Sequence, residues 1–293
     1  MSALPGGAGF TPAIRATRLG TSGSTFRTFS ALFCAAALVL LAPLAHAAAE
    51  RAIVVTTTSV LGAAAQGVGG ESVTVETILP PGSCPGHFDL EPAQVRRLLA
   101  ATAFFRHEFQ GFLDSRLLAN GLPPDRIAAL PAPGGLCIPD TFATLAREAA
   151  DALDTRLPGE AKALRMRATA LARDAEVHGA ALRQRAARLH GRAVAAAQHQ
   201  AAFLRWLGLD VRAVLPGGDD PAPPLVTRAL SEIRAAQAVA VVGNVPSGRR
   251  LPAALAEAAG LPLVMFDNFP PSCSPTDYWA MLDRNLDSLL AAL

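Results

Sequence analysis

Residues 158–190 hold the feature that most limits how this chain can fold: a helical pattern of 33 residues without an internal break. Leu164, Leu171, Leu182 and Leu189 fall on a related face with Ala175 between them, and after Pro158 no proline follows until Pro216. At 1.5 Å of rise per residue this helix is roughly 50 Å long, longer than an ordinary globular helix. It is expected to run along two lobes as their common backbone. The alternative is a coiled-coil dimer, but an alanine-rich seam of only about four repeats is poor ground for one, and a monomer is expected.

On both sides of this helix, short β-branched runs alternate with helical ones. Strands are expected at 53–57, 72–79, 102–106 and 126–130, with helices at 60–68, 92–100, 109–119 and 141–154. Beyond the long helix come strands at 193–197, 211–215, 238–242 and 262–266, with helices at 200–207, 225–236, 251–259 and 276–290. Such alternation builds βα units around a mostly parallel sheet. The expected fold class is α/β: two (βα)4-like lobes with parallel sheets, 48–157 and 191–293, joined by one long backbone helix, 158–190.

The segment before residue 48 reads differently. It contains Arg15, Arg18 and Arg27 and no acidic residue, then an almost wholly apolar run at 31–44 and a small-x-small site at Ala45-His46-Ala47. This is the pattern of a secretory signal peptide covering residues 1–47. The apolar run is too short for a membrane span, and Phe33 before Cys34 disfavours lipidation there. Cleavage after Ala47 removes three of the 26 basic residues and leaves 23 against 24 acidic. A nearly neutral mature chain is a poor nucleic-acid partner. Export also permits disulfides, yet the three remaining cysteines, Cys84, Cys137 and Cys273, are an odd number, so one thiol is left over.

In open parallel sheets, ligands gather outside the carboxyl ends of the strands. The loop Pro80-Pro81-Gly82-Ser83-Cys84-Pro85-Gly86-His87-Phe88-Asp89-Leu90-Glu91-Pro92 follows the second strand and presents one imidazole before a helix that Pro92 can open. His107 follows the third strand, Cys137 the fourth, Asp267 and Cys273 the last, and His199 the first strand of the second half. Neutral imidazole and carboxylate suit divalent first-row ions, with zinc favoured by tetrahedral nitrogen-rich sites. For the cysteines three readings stay open: a Cys84–Cys137 disulfide tying two neighbouring loops, an inert thiol at Cys273, or thiolate ligation. Glu108 is placed to orient a ligating imidazole.

Over about residues 51–293 the chain resembles the periplasmic solute-binding proteins of zinc and manganese ABC importers. The pieces that carry the likeness are Ile53-Val54-Val55-Thr56-Thr57, the His87 loop, the long linking helix, the stretch from His199 to Trp206-Leu207-Gly208-Leu209, and Met265-Phe266-Asp267 with Tyr278 and Asn285 beyond it. The resemblance implies three histidines and one carboxylate, drawn from both lobes, around the metal. His87 matches the first histidine and Asp267 the carboxylate. His199 lies near the third, although Gly208 follows it two residues sooner than is usual. Gly134-Gly135-Leu136-Cys137-Ile138-Pro139 stands where the second histidine belongs, and the family's histidine-rich acidic loop is missing. The Cys-Pro-Gly-His-Phe-Asp loop and the Asn268-Phe269-Pro270 end point to a variant set of such proteins, in which His107 can replace the absent histidine.

The function that follows is capture of a divalent transition metal, zinc first and manganese or another ion next, between the lobes. Delivery is to a membrane permease energised by a separate ATPase, since the chain has no ATP-binding loop. The long helix is expected to limit hinge motion. A secreted metal-dependent or Cys/His hydrolase is the alternative, but the chain has no Gly-x-Ser-x-Gly elbow and no His-Glu-x-x-His helix, and it is not expected to be an enzyme. The lost histidine leaves a third reading, a metal-free binder of a small organic ligand.

Overall fold

The β-branched runs become two four-stranded parallel sheets in a computed structural model that describes residues 51–80, 82–86, 88–217 and 222–293. The first sheet holds β1 (Ala52–Thr56), β2 (Val73–Thr77), β3 (Ala103–His107) and β4 (Ile127–Leu130) in the order β2-β1-β3-β4. The second holds β5 (Ala193–Ala197), β6 (Asp210–Leu215), β7 (Val241–Asn244) and β8 (Leu263–Phe266) in the order β6-β5-β7-β8. Every pairing is parallel, and the two sheets share one topology. The expected α/β fold of two lobes is therefore the observed one. The signal-peptide segment lies outside the described residues. Among those described, no helix is long and apolar enough to cross a membrane.

The helices of the first lobe are α1 (Ser59–Gly69), α2 (Pro92–Ala100), α3 (Asp114–Ala119) and α4 (Pro139–Asp154); those of the second are α6 (Gln198–Trp206), α7 (Pro223–Ala235), α8 (Arg250–Ala259) and α9 (Pro275–Ala292). Between them runs α5, Ala161–Ala186, which tightens into one 3-10 turn at Ala187–Leu189. It starts three residues later than 158–190 because Gly159 takes a positive φ of 95° in the turn after Pro158, a conformation open to glycine at little cost. Leu164, Leu171, Ala175, Leu182 and Leu189 are all buried, as their common face requires.

That face does more than tether the lobes. One continuous apolar core includes Val54 and Leu61 of the first lobe, the α5 leucines, and Val242, Phe266 and Tyr278 of the second. Two smaller clusters fill the outer side of each sheet. Parting the lobes would expose apolar surface at about 25 cal/mol per Å2, so wide opening is disfavoured. Polar links reinforce this. Ser59 Oγ donates to the Pro270 carbonyl at 2.7 Å, Tyr278 Oη donates to the Leu136 carbonyl at 2.9 Å, and Thr77 Oγ1 lies 3.0 Å from Cys273 Sγ. The segment after β8 thus lies across the first lobe.

One expected element differs. The helix predicted at 109–119 is a 3-10 segment, Glu108–Leu113, followed by α3, and Gln110 leaves helical geometry at φ −97°, ψ 20°. The reason is local: Gln110 turns its amide inward to serve three partners, two of them buried, and Arg106 Nε reaches Asp114 Oδ1 at 2.6 Å across the kink.

Candidate functional site

Each strand order reverses beside its first strand, between β1 and β3 and between β5 and β7. These are the positions where a parallel sheet opens a crevice at its carboxyl edge. The two edges share a cavity of about 310 Å3. The first lobe lines it with Cys84, Phe109 and Leu136, the second with His199, Asn244, Ser247, Asn268 and Phe269. A second cavity of about 450 Å3 also touches Cys84 and His199 and extends along the second lobe towards Pro216 and Pro252.

On the first lobe, the chemistry of the edge is turned inward. Gln110 Oε1 accepts from Thr57 Oγ1 at 2.6 Å and from the His107 N–H at 2.9 Å, while its Nε2 donates to the Pro85 carbonyl at 2.9 Å. One buried amide thereby fixes the loop that carries Cys84 to the ends of β1 and β3. His107 closes β3 with no exposed surface. Its Nε2 lies 3.0 Å from Thr58 Oγ1, its Nδ1 has no partner, and its ring stacks on Phe109 with centroids 5.1 Å apart. Burial pulls its pKa down to about 3, so the ring is neutral at physiological pH. His87 lies outside the described residues. The residues flanking it are placed: Gly86 lines the cavity, and Phe88 meets Phe112 edge-on.

On the second lobe, the edge is a set of amides. Gln200, on the first turn of α6, is fully buried and donates through Nε2 to Asn244 Oδ1 at 3.0 Å and, by a short contact, to Asn268 Oδ1. Its Oε1 has no partner. Asn244 Nδ2 donates in turn to Ser247 Oγ at 2.7 Å. His199, one residue before Gln200, is exposed to both cavities. Asp267 is half-buried and held by its backbone: its N–H donates to Asn285 Oδ1 at 2.9 Å, and Asn285 Nδ2 donates to its carbonyl at 2.8 Å. At the wall of the smaller cavity stands its neighbour Asn268.

The thiols separate by environment. Cys137 is a free, buried thiol whose Sγ points at the Asp267 carbonyl and Asn268 Oδ1, at 3.5 and 3.6 Å. Burial, only partly offset by its contact with Gln200, pushes it up to about 12 and keeps it protonated; as a free cysteine it forms no bridge to Cys84. Cys273 is also a free thiol, raised above its usual value by burial and engaged by Thr77. Cys84 is exposed at the mouth of both cavities.

The seven donors expected along one edge are therefore not gathered alike. Among the described residues, no three His, Cys, Asp or Glu side chains come together as a metal-holding group. His199 and Cys84 reach the cavity, whereas His107 and Cys137 are enclosed and Cys273 turns to Thr77. Gln200, Asn244, Ser247 and Asn268 were missed by a reading that sought imidazole, thiolate and carboxylate. The only signal was their place at or just beyond the ends of β5, β7 and β8. In the stretch that lacks the second histidine, Gly134 and Gly135 at φ 79° and 114° carry the chain past Ala202 of the other lobe.

A family model described as zinc-uptake complex component A, periplasmic (ZnuA), matches residues 54–133 and 138–292. Among solved structures, a crystal structure of ZnuA superposes with a TM-score of 0.71 at 16% identity, covering 83% of this chain and 99% of that one. A mutant, Mn-bound periplasmic metal-binding protein from Candidatus Liberibacter asiaticus gives 0.70 at 13% identity, with 83% and 100% covered. The periplasmic zinc-binding protein TroA from Treponema pallidum gives 0.69 at 16% identity, with 83% and 99% covered. At such identities these structures speak for the fold alone. No curated protein matches the sequence.

Proposed function

Because the chain belongs to the periplasmic zinc-uptake complex component A family, we propose that it captures a divalent transition metal between its lobes and hands it to a membrane permease driven by a separate ATPase. Zinc is the first candidate for the cargo and manganese the second. The observation that carries this reading is the cavity where both carboxyl edges meet, with His199 from one lobe and Cys84 from the other on its walls.

The proposed ligands are His199, His87 on the loop fixed by Gln110, and Asp267, whose backbone Asn285 holds. Cys84 is a further donor at the same mouth. The burial of His107 gives it the part of a support beneath Phe109. Cys137 and Cys273, as protonated thiols, belong to the packing around the site. The core shared through α5 supports capture by modest local shifts, and a slight displacement of one edge against the other suffices for release. The protein acts as a periplasmic carrier, not a catalyst, delivered there by cleavage of residues 1–47.

The test is metal stoichiometry and thermal shift of the mature protein with zinc, manganese and copper, in wild type and His87→Ala. One metal per chain, with an affinity at least about tenfold weaker in the variant and a still cooperative melt, is the expected result. A protein that neither binds nor is stabilised by any of the three ions would end the carrier reading.

A further inference from the structure

Resting on the carrier reading above, we propose that the segment from Asp267 to Ser274 is a tether through which the first lobe sets the position of the ligand Asp267. Ser59, Gly62 and Cys273 are its positioning residues, and the tether must yield before the metal can leave.

The segment departs from β8, the edge strand of the second sheet, at Asp267. Asn268 and Phe269 come next and form part of the cavity wall. Beyond them the chain is fastened to the first lobe at two places, both at the carboxyl edge of that lobe's sheet. Ser59, which opens α1, donates through Oγ to the buried Pro270 carbonyl at 2.7 Å. Cys273 Sγ lies 3.0 Å from Oγ1 of Thr77, the last residue of β2. Between the wall and the second anchor stand Pro270 and Pro271, whose rings fix φ and leave the tether little slack.

Gly62 shows how closely the second anchor is fitted. It lies in the first turn of α1, although glycine is a poor helix former. A Cβ at this position would collide with Cys273 Sγ and stand 3.1 Å from both Cys273 Cβ and Thr77 Oγ1. The absent side chain is the seat of the thiol.

Past the seat, α9 turns back to the ligand. Asn285 accepts from the Asp267 N–H at 2.9 Å and donates to its carbonyl at 2.8 Å, while Tyr278 Oη on the same helix donates to the Leu136 carbonyl of the first lobe at 2.9 Å. Asp267 is therefore held in a frame that both lobes share, whereas His199 rides on α6 of the second lobe. A shift of one lobe against the other strains that frame. The Ser59–Pro270 bond is buried, so parting it leaves a donor and an acceptor unsatisfied, and this resists the displacement that release requires.

The experiment is stopped-flow release of zinc from the loaded mature protein into a large excess of a chromogenic chelator, with melts of the metal-free proteins alongside. Ser59→Ala should release zinc about tenfold faster than the wild type, the scale on which losing a group that orients a metal ligand acts. Gly62→Ala, which drives the thiol from its seat, should do the same. In a Cys273→Ala background the collision is gone, and adding Gly62→Ala should change release by less than about twofold, the behaviour of a coupled pair in a double-mutant cycle. A glycine that served only the helix would act equally in both backgrounds, and that result overturns the seat. Variants that melt cooperatively and release zinc at the wild-type rate overturn the tether and leave the carrier reading standing. Should Gly62→Ala fail to fold, the release rate of Ser59→Ala decides alone. A wild type that takes up no zinc overturns the carrier reading and the tether with it.

Discussion

The two lobes repeat one topology, strand for strand, yet their carboxyl edges use polar residues in opposite ways. In the first lobe Thr57, Thr58, His107 and Gln110 face one another beneath the surface and fix the loop that follows β2. In the second lobe the buried Gln200 ties together Asn244 and Asn268, which stand on the cavity wall beside an exposed His199. The difference teaches that the fold dictates where a ligand can sit but not which lobe displays the chemistry. On the function proposed above, one edge is a support and the other a receptor.

Two glutamines put the comparison to its strongest test. Gln110 satisfies a hydroxyl, a backbone N–H and a backbone carbonyl at once, so Gln110→Leu leaves two buried groups and the half-buried Pro85 carbonyl without partners. Leaving such a group unpaired costs about 1–3 kcal/mol. With some relaxation the total should come to about 3 kcal/mol, or roughly 6 °C in Tm for a chain of this size. Gln200→Leu also strips the donor from two asparagine oxygens, but it removes an acceptor that is already unsatisfied. Its expected cost is smaller, about 1 kcal/mol. Urea denaturation of both variants measures the gap, and equal costs would dissolve the distinction between a supporting and a receiving edge.

The next effect belongs to the first lobe alone. The His107 pKa is about 3 in the folded chain, lowered from the ordinary histidine value of 6.5 that it regains on unfolding, so between these values the unfolded chain binds the extra proton. Stability contributed by the neutral ring is full above pH 6.5 and declines as pH falls towards 3. From pH 7 to pH 5 the loss assigned to this one group is about 2 kcal/mol. His107→Asn removes the titration. Its stability should therefore fall less over that interval than that of the wild type, whatever its absolute value at pH 7. Parallel pH profiles for the two proteins would mean that the ring is open to solvent, and the first lobe's edge would then be a second receptor.

Much of the fold was legible in the sequence, for identifiable reasons. Runs such as Ile53-Val54-Val55 admit only a strand, and the leucines of 158–190 share one face over many turns. Less of the site was legible. In β3 every residue from Ala103 to His107 is buried, so no alternation shows which way the imidazole turns. The kink at Gln110 depends on partners at Thr57 and Pro85, 53 and 25 residues away, a relation that local propensity does not contain. The amides escaped because Gln and Asn mark turns and caps as readily as sites. Only the meeting of three strand ends brings Gln200, Asn244 and Asn268 together.

The smallest effect on stability should coincide with a large one on binding, and His199 is where the two separate. Its side chain is exposed at the mouth of both cavities, and no buried partner depends on it, so His199→Ala should change the free energy of unfolding by no more than about 0.5 kcal/mol. If His199 is the ligand proposed above, its loss should nevertheless weaken metal uptake by about tenfold or more. Gln110→Leu should show the reverse balance, with most of its effect in the melt. Titrating both variants with zinc alongside their melts places each residue on one side of the division. If His199→Ala melts several degrees lower while binding metal as well as the wild type, the second lobe's edge is a support as well, and the contrast between the lobes fails.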